Sequence, residues 1–204
     1  MIGAEARTHQ QRQYERVYTA SDSEYGFPDR KVADDLDPRD WRILSIGSGT
    51  ANDLWYLATS NTVIGLDYAG SGLRVALGHG VRGVRADLNR HLVLPFGDRV
   101  FDMVVCKDIL EHLVEPLPIL AEVRRVLREG GYVVISVPNH FYLWMRLRIL
   151  GGQGLISRGI GVDHSSEYDE WNYMHLRFFT FNGFRRFLHA AGFRAEKWFW
   201  DFGT

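Results

Sequence analysis

The chain has 204 residues, 46% hydrophobic and 24% charged. These are the values of a single globular domain, which at this size buries roughly 70% of its unfolded surface without disulfide staples. A net charge of −1, from 24 basic and 25 acidic residues, lacks the basic excess that releases counterions from phosphates, so no nucleic-acid partner is expected. The lone Cys106 excludes a disulfide framework and a cysteine-cluster zinc site.

Residues 1–40 are polar, with Tyr14, Tyr18, Tyr25 and Phe27 as scattered anchors, and end at the turn-forming Asp37-Pro38. They are expected to form an N-terminal cap segment ahead of a catalytic domain over 41–204. The start of the chain has no apolar signal-peptide core, so a soluble, cytoplasmic protein is expected.

From Trp41 to Asn139 short apolar runs alternate with helical patterns, the signature of a parallel α/β sheet. Strands are predicted over 42–46, 62–66, 81–86, 101–106 and 132–137; their β-branched runs suit a sheet covered on both faces. The first stops at Gly47, the second at Asp67, the third at Asp87, and the fifth at Pro138. Residues 116–128 predict a helix, with proline in the first turn and Leu120, Val123 and Leu127 at helical spacing. Gly130-Gly131 are expected to end it.

Residues 140–180 have no clean period and read as an insertion or lid. Within them, 141–150 predicts a helix rich in aromatics, broken by Arg146 and Arg148 and too short to span a bilayer. It could cover the site, lie on a membrane surface or face a partner protein. A helix over 182–191 and a sixth strand over 193–202 complete an α/β, doubly wound, mostly parallel sheet. Such sheets bind ligands at the carboxyl ends of their strands.

The first strand runs into Gly47-Ser48-Gly49-Thr50-Ala51 and then a helical segment through Trp55. Glycines here let the backbone turn sharply and approach a ligand, and a helix start would offer amides to an anion. Asp67 follows Gly47 by twenty positions, where a carboxylate can accept from ribose hydroxyls. Asp87-Leu88 ends the third strand, where a carboxylate and a neighbouring amide can meet an exocyclic amine and a ring nitrogen. Turn, ribose acid and base-edge acid in that order describe an adenosine-shaped slot.

On these residues the chain resembles the class I S-adenosylmethionine-dependent methyltransferases. Ile43 to Ala51 resembles their glycine-rich first motif, Val63 to Asp67 their acid-tipped second strand, and Arg85 to Leu88 the adenine-edge turn. Phe101 to Leu113 and Leu127 to Asn139 resemble the fourth- and fifth-strand signatures. Pro138-Asn139, Trp144, Arg146 and His175 to Thr180 are similar to the small MetW-like branch (methyltransferase types 11 and 23). The resemblance implies a Rossmann-like fold, S-adenosyl-L-methionine as cofactor and methylation as the reaction.

It also implies donor contacts from Ser45, Gly47, Ser48, Gly49, Asp67, Tyr68, Asp87, Leu88 and Lys107. Two departures stand out. Ser45 occupies a position usually acidic, and Ala51 one usually glycine; their loss would leave the donor's amino-acid end to backbone carbonyls near Gly47 and Lys107. The family's last, antiparallel strand is expected to be missing.

For catalysis the candidates are His112, after the fourth strand, and His140, after the fifth, either of which can take a proton from an acceptor. A satisfied structural histidine is the competing role for each. Asp108 and Glu111 form an Asp-x-x-Glu pattern and are expected to be a capping box. His140, His164 and His175 match no zinc spacing, so no metal is expected. The expected reaction is in-line methyl transfer to a small-molecule acceptor: a metabolite, sugar or lipid-linked compound. The alternative is a non-catalytic donor-binding module docked on another enzyme, or a homodimer.

Overall fold

The computed structural model describes residues 35–152 and 175–199. The expected cap over 1–40 and residue His164 fall largely or wholly outside them. Five strands form one sheet: β1 (Arg42–Ile46), β2 (Thr62–Asp67), β3 (Arg82–Arg85), β4 (Phe101–Lys107) and β5 (Leu127–Ser136). Every pairing is parallel, and the order is β3-β2-β1-β4-β5. The chain therefore builds outward from β1 in one direction and then restarts beside it with β4. That reversal opens a crevice at the carboxyl ends of β1 and β4.

Four α-helices flank the sheet: α1 (Gly70–Gly78), α2 (Pro116–Val126), α3 (Leu143–Leu150) and α4 (Phe181–Ala190). Side chains alternate along each central strand, as the period of two demands. Leu44, Ile46, Val104 and Cys106 face one layer, with Ile119, Leu120, Val123 and Val126 of α2 and Phe184 and Leu188 of α4. Ile43, Val63, Met103 and Val105 face the other, with Leu54, Leu57 and Ala76 of α1. Both faces of the central strands are thus dry, which is why those strands are apolar at nearly every position.

The structure corrects the predicted elements in several places. The glycine turn leads not into an α-helix but into a five-residue 3-10 helix, Trp55–Thr59. The helix α1 was not predicted; three glycines hide it. Helix α2 ends at Val126, and Leu127 and Arg128 already belong to β5, where a register shift lies opposite Phe101 and Met103. Strand β3 is shorter than expected at both ends. The described part of the predicted sixth strand, residues 193–199, is not strand. Hydrophobic alternation alone cannot supply an edge partner, and these residues pair with none of the five strands.

Candidate active site

The loop after β1 lies on the crevice floor. Gly47 and Gly49 adopt the left-handed region, with φ of 70° and 51°, which side chains rarely tolerate. A Cβ on Gly47 would come within 2.7 Å of the Ile109 side chain. The turn is anchored across the sheet: the Gly47 amide donates to the Leu66 carbonyl, and the Gly49 amide to Asp67 Oδ2 at 2.8 Å. Asp67 Oδ1 accepts the Ala69 amide at 2.7 Å. One carboxylate thereby ties the β1 turn to the tip of β2.

The remaining expected donor contacts surround this turn. Ser45 is buried in mid-β1 between Gly65 and Val105. Ser48 Oγ is buried with no hydrogen-bond partner among the described residues. Tyr68 follows Asp67, and its carbonyl accepts from Arg85 Nε. Asp87 caps its own turn by accepting the Asn89 amide and faces Arg90 Nε at 3.4 Å, while the Leu88 side chain is buried in the core. Lys107 ends β4 and its Nζ lies 3.6 Å from Asp53. Burial holds the Asp53 carboxyl above the usual range, partly opposed by Lys107.

A second cluster sits at the β4 tip. The expected capping box does not form: Asp108 accepts from Ser136 Oγ at 3.1 Å, and the short 3-10 turn Leu110–His112 has no side-chain cap. Glu111 instead points inward. It is 0% exposed, and neither carboxylate oxygen has a hydrogen-bond partner among the described residues. Three histidines gather around it. His112 Nε2 lies 3.9 Å and His175 Nε2 4.0 Å from Glu111 Oε1, and His140 Nε2 meets His175 Nδ1 at 2.8 Å.

Three chain segments deliver these groups. Residues 108–114 follow β4, His140 follows β5, and His175 lies near the far end of the insertion. The Glu111 carbonyl accepts the amides of Leu176 and Arg177, and the Arg177 guanidinium donates to the carbonyls of Leu113 and Val114. Burial pushes the Glu111 carboxyl up to about 8. Burial also pushes His175 down to about 3, with His112 and His140 adding to the effect, and it lowers His140. Burial thus favours the uncharged forms of Glu111, His140 and His175.

The two predicted catalytic histidines, His112 and His140, are thus brought together, each in ring contact with His175. Glu111 and His175 as members of one cluster were missed. The only sequence signal was an acid placed where an ideal cap would be, which local reasoning assigns to the helix end.

Comparison with known proteins fits this geometry. The methyltransferase-domain family matches residues 44–135, the segment holding the glycine turn, Asp67, Lys107, Glu111 and His112. Residues 44–135 are similar to a methyltransferase domain. The chain is 28% identical over 127 residues to a ubiquinone biosynthesis O-methyltransferase of Paracidovorax citrulli, covering 58% of this chain and 53% of that protein. It is 33% identical over 121 residues to a phosphatidylethanolamine N-methyltransferase of Cereibacter sphaeroides, covering 56% and 58%. The chain spans about half the length of the curated relatives it matches. In fold it is similar to a SAM-dependent methyltransferase of Thermotoga maritima, with a TM-score of 0.62 at 19% identity over 92% of this chain and 82% of that one. A SAM-dependent methyltransferase of Aquifex aeolicus gives 0.60 at 17%, covering 90% of both.

The cofactor of this methyltransferase domain is S-adenosylmethionine, and the residues present fit it. The glycine turn offers bare backbone at the sheet's switch point, Ser48 offers a buried hydroxyl there with no hydrogen-bond partner among the described residues, and Asp67 places a carboxylate at the tip of the neighbouring strand. Among the described residues, no helix is long and apolar enough to cross a membrane.

Proposed function

We propose that this chain transfers a methyl group from S-adenosylmethionine to a small-molecule acceptor (a metabolite, sugar or lipid-linked compound) by in-line displacement. One observation carries the reading: the anchored glycine turn with Asp67 and the buried Glu111–histidine cluster stand on the same rim, at the carboxyl ends of β1, β2 and β4. A donor slot and a polar acceptor side are thus neighbours. The names of two relatives, acting in ubiquinone biosynthesis and on phosphatidylethanolamine, support an acceptor with a lipid-linked or small polar target group.

When bound, S-adenosylmethionine supplies a methyl group on a positively charged sulfur, already activated for displacement. The chain's task is then alignment, which contributes on the order of 7–11 kcal/mol in the best intramolecular cases. Gly47 to Gly49 hold the donor by backbone contact, Asp67 and Tyr68 fix its ribose side, and Asp87 and Leu88 frame the base. As the acceptor's lone pair forms the new bond to carbon, the carbon–sulfur pair returns to sulfur. The acceptor proton passes to His112 or His140, a contribution of perhaps 10²–10⁴-fold where a proton must leave. The loops at 108–114 and 175–179 exclude water. Pro138-Asn139, Trp144, Arg146 and His175 to Thr180 support extending the proposal to the MetW-like branch.

Calorimetry with S-adenosylmethionine and S-adenosylhomocysteine tests the donor slot: sub-millimolar binding of at least one is expected, and binding of neither overturns the reading. Asp67→Ala is expected to weaken that binding at least tenfold. Isotope-labelled donor incubated with the chain and a metabolite extract is expected to label a small molecule; donor binding without any label would favour the docking module instead. Replacing His112 or His140 by Ala is expected to lower turnover with donor affinity intact.

A further inference from the structure

The Glu111 cluster has a property that proton transfer alone does not require. A carboxylate is fully enclosed, neither oxygen has a hydrogen-bond partner among the described residues, and two imidazole nitrogens face one of those oxygens. A buried carboxyl group without a hydrogen-bond partner is unfavourable whether it is charged or protonated. A fold that spends backbone bonds to bring His175 and Glu111 together, through the Glu111 carbonyl and the amides of Leu176 and Arg177, calls for a group that completes the site.

We infer that Glu111 Oε1, His112 Nε2 and His175 Nε2 hold a divalent first-row transition cation, with Zn²⁺ the best match to the donor set. The three ligand atoms lie within 4.8 Å of one another. Around a cation with bonds of roughly 2.0–2.1 Å, tetrahedral neighbours stand about 3.4 Å apart, so side-chain rotation must close the 3.9 and 4.0 Å separations by about half an ångström and the third pair, up to 4.8 Å apart, by as much as about 1.4 Å. Two imidazoles and one carboxylate suit Zn²⁺ and its neighbours better than Mg²⁺, which prefers an all-oxygen shell.

A neighbouring histidine orients one of these ligands. When His175 Nδ1 donates to His140 Nε2 at 2.8 Å, the lone pair of His175 Nε2 is fixed toward Glu111, the arrangement that orients metal-bound histidines elsewhere. Three protein ligands leave at least one coordination position for water or an acceptor oxygen. The use of that position in methyl transfer rests on the proposed function; the cation site itself does not. A cation there takes His112 and His175 out of proton transfer and makes His140 a positioning residue, so the metal stoichiometry also decides between this site and a histidine proton acceptor in the proposed function.

Equilibrium dialysis of the metal-stripped full chain against Zn²⁺, Mn²⁺ and Mg²⁺, with metal analysis of the retained protein, tests the site. One equivalent of Zn²⁺ per chain is expected, with weaker Mn²⁺ and no stoichiometric Mg²⁺. Bound Co²⁺ is expected to give the visible ligand-field spectrum of mixed nitrogen and oxygen coordination. Glu111→Gln, which keeps the shape, and His175→Ala are each expected to weaken Zn²⁺ at least tenfold. His140→Ala is expected to weaken it less and to be distinguishable by an altered Co²⁺ spectrum. Absence of stoichiometric Zn²⁺, or binding that survives Glu111→Gln and His175→Ala unchanged, overturns the inference. Should a variant fail to fold, the wild-type stoichiometry and Co²⁺ spectrum decide alone. S-adenosylhomocysteine titrated in parallel separates the two readings: donor binding without metal sinks only the cation site, and metal without donor sinks only the methyltransferase proposal.

Discussion

Ala51 stands where a third glycine was expected, and the backbone shows why glycine suits the position. Its φ is 53°, a left-handed conformation that costs an L-residue roughly 1–2 kcal/mol, and its methyl is buried. Part of that strain would be recovered by glycine and part returned as unfolded-state entropy. Ala51→Gly is therefore expected to raise stability by about 0.5–1 kcal/mol in urea unfolding, with donor affinity equal to or better than the parent's. Ser45, the other departure, is buried in mid-strand opposite Gly65. Asp67 was legible because strand end and glycine turn fix its place by chain position alone. Glu111 was not, because its partners lie on other loops.

At the scale of elements, α2 and α1 make a useful contrast. Helix α2 was visible from proline at its start and a stripe of Ile119, Leu120, Val123 and Val126, all buried. Helix α1 carries Gly70, Gly72 and Gly78, each costing about 1 kcal/mol in helix propensity, and forms because it must pass the β1 turn closely. A Cβ on Gly72 would stand 2.7 Å from the Gly49 carbonyl oxygen, which is backbone and cannot rotate away. Gly72→Ala is expected to cost about 1–3 kcal/mol and to weaken donor binding by displacing the turn; unchanged donor affinity would show the contact is not transmitted.

The amino-terminal side of β4 is held by a different device. Glu122 and Arg125 on α2 bond each other, Glu122 Oε2 accepts the Leu94 amide at 2.8 Å, and Arg125 donates to the carbonyls of Leu94 and Phe96. The Arg125 hydrogen bonds hold the Glu122 carboxyl below the usual glutamate value. A depressed carboxylate pKa contributes stability above the unfolded value of about 4.3 and loses it as pH falls through the lower folded value. Glu122→Gln is thus expected to be less stable than the parent near neutral pH, with the gap narrowing as pH drops below that value. A gap independent of pH would assign the effect to packing.

Across the whole molecule, the site depends on a connection between distant parts of the chain. Arg177 reaches from the far end of the insertion to the loop after β4, where its guanidinium meets the carbonyls of Leu113 and Val114. Asn89, after β3, accepts the Val114 amide at 2.8 Å and reaches the same loop from the other side. Arg177→Ala removes charge-assisted bonds worth about 1.5–3 kcal/mol each. It is expected to lower stability by about 2–3 kcal/mol and to cut turnover at least tenfold, while S-adenosylhomocysteine affinity stays within twofold. A parallel loss of donor affinity would mean that the two halves of the rim are not independent.

Chain order by itself determined the parallel strands, the glycine turn after β1 and the acid at the tip of β2, since period-two burial and turn chemistry act between residues near in sequence. It also implied that ligands gather at the strands' carboxyl ends. Only the tertiary structure decided that Glu111, His112, His140 and His175 share one enclosed space. Which loop tips meet depends on the sheet order and on where the insertion returns, and no residue spacing encodes a distance between loops that the chain reaches by separate crossovers.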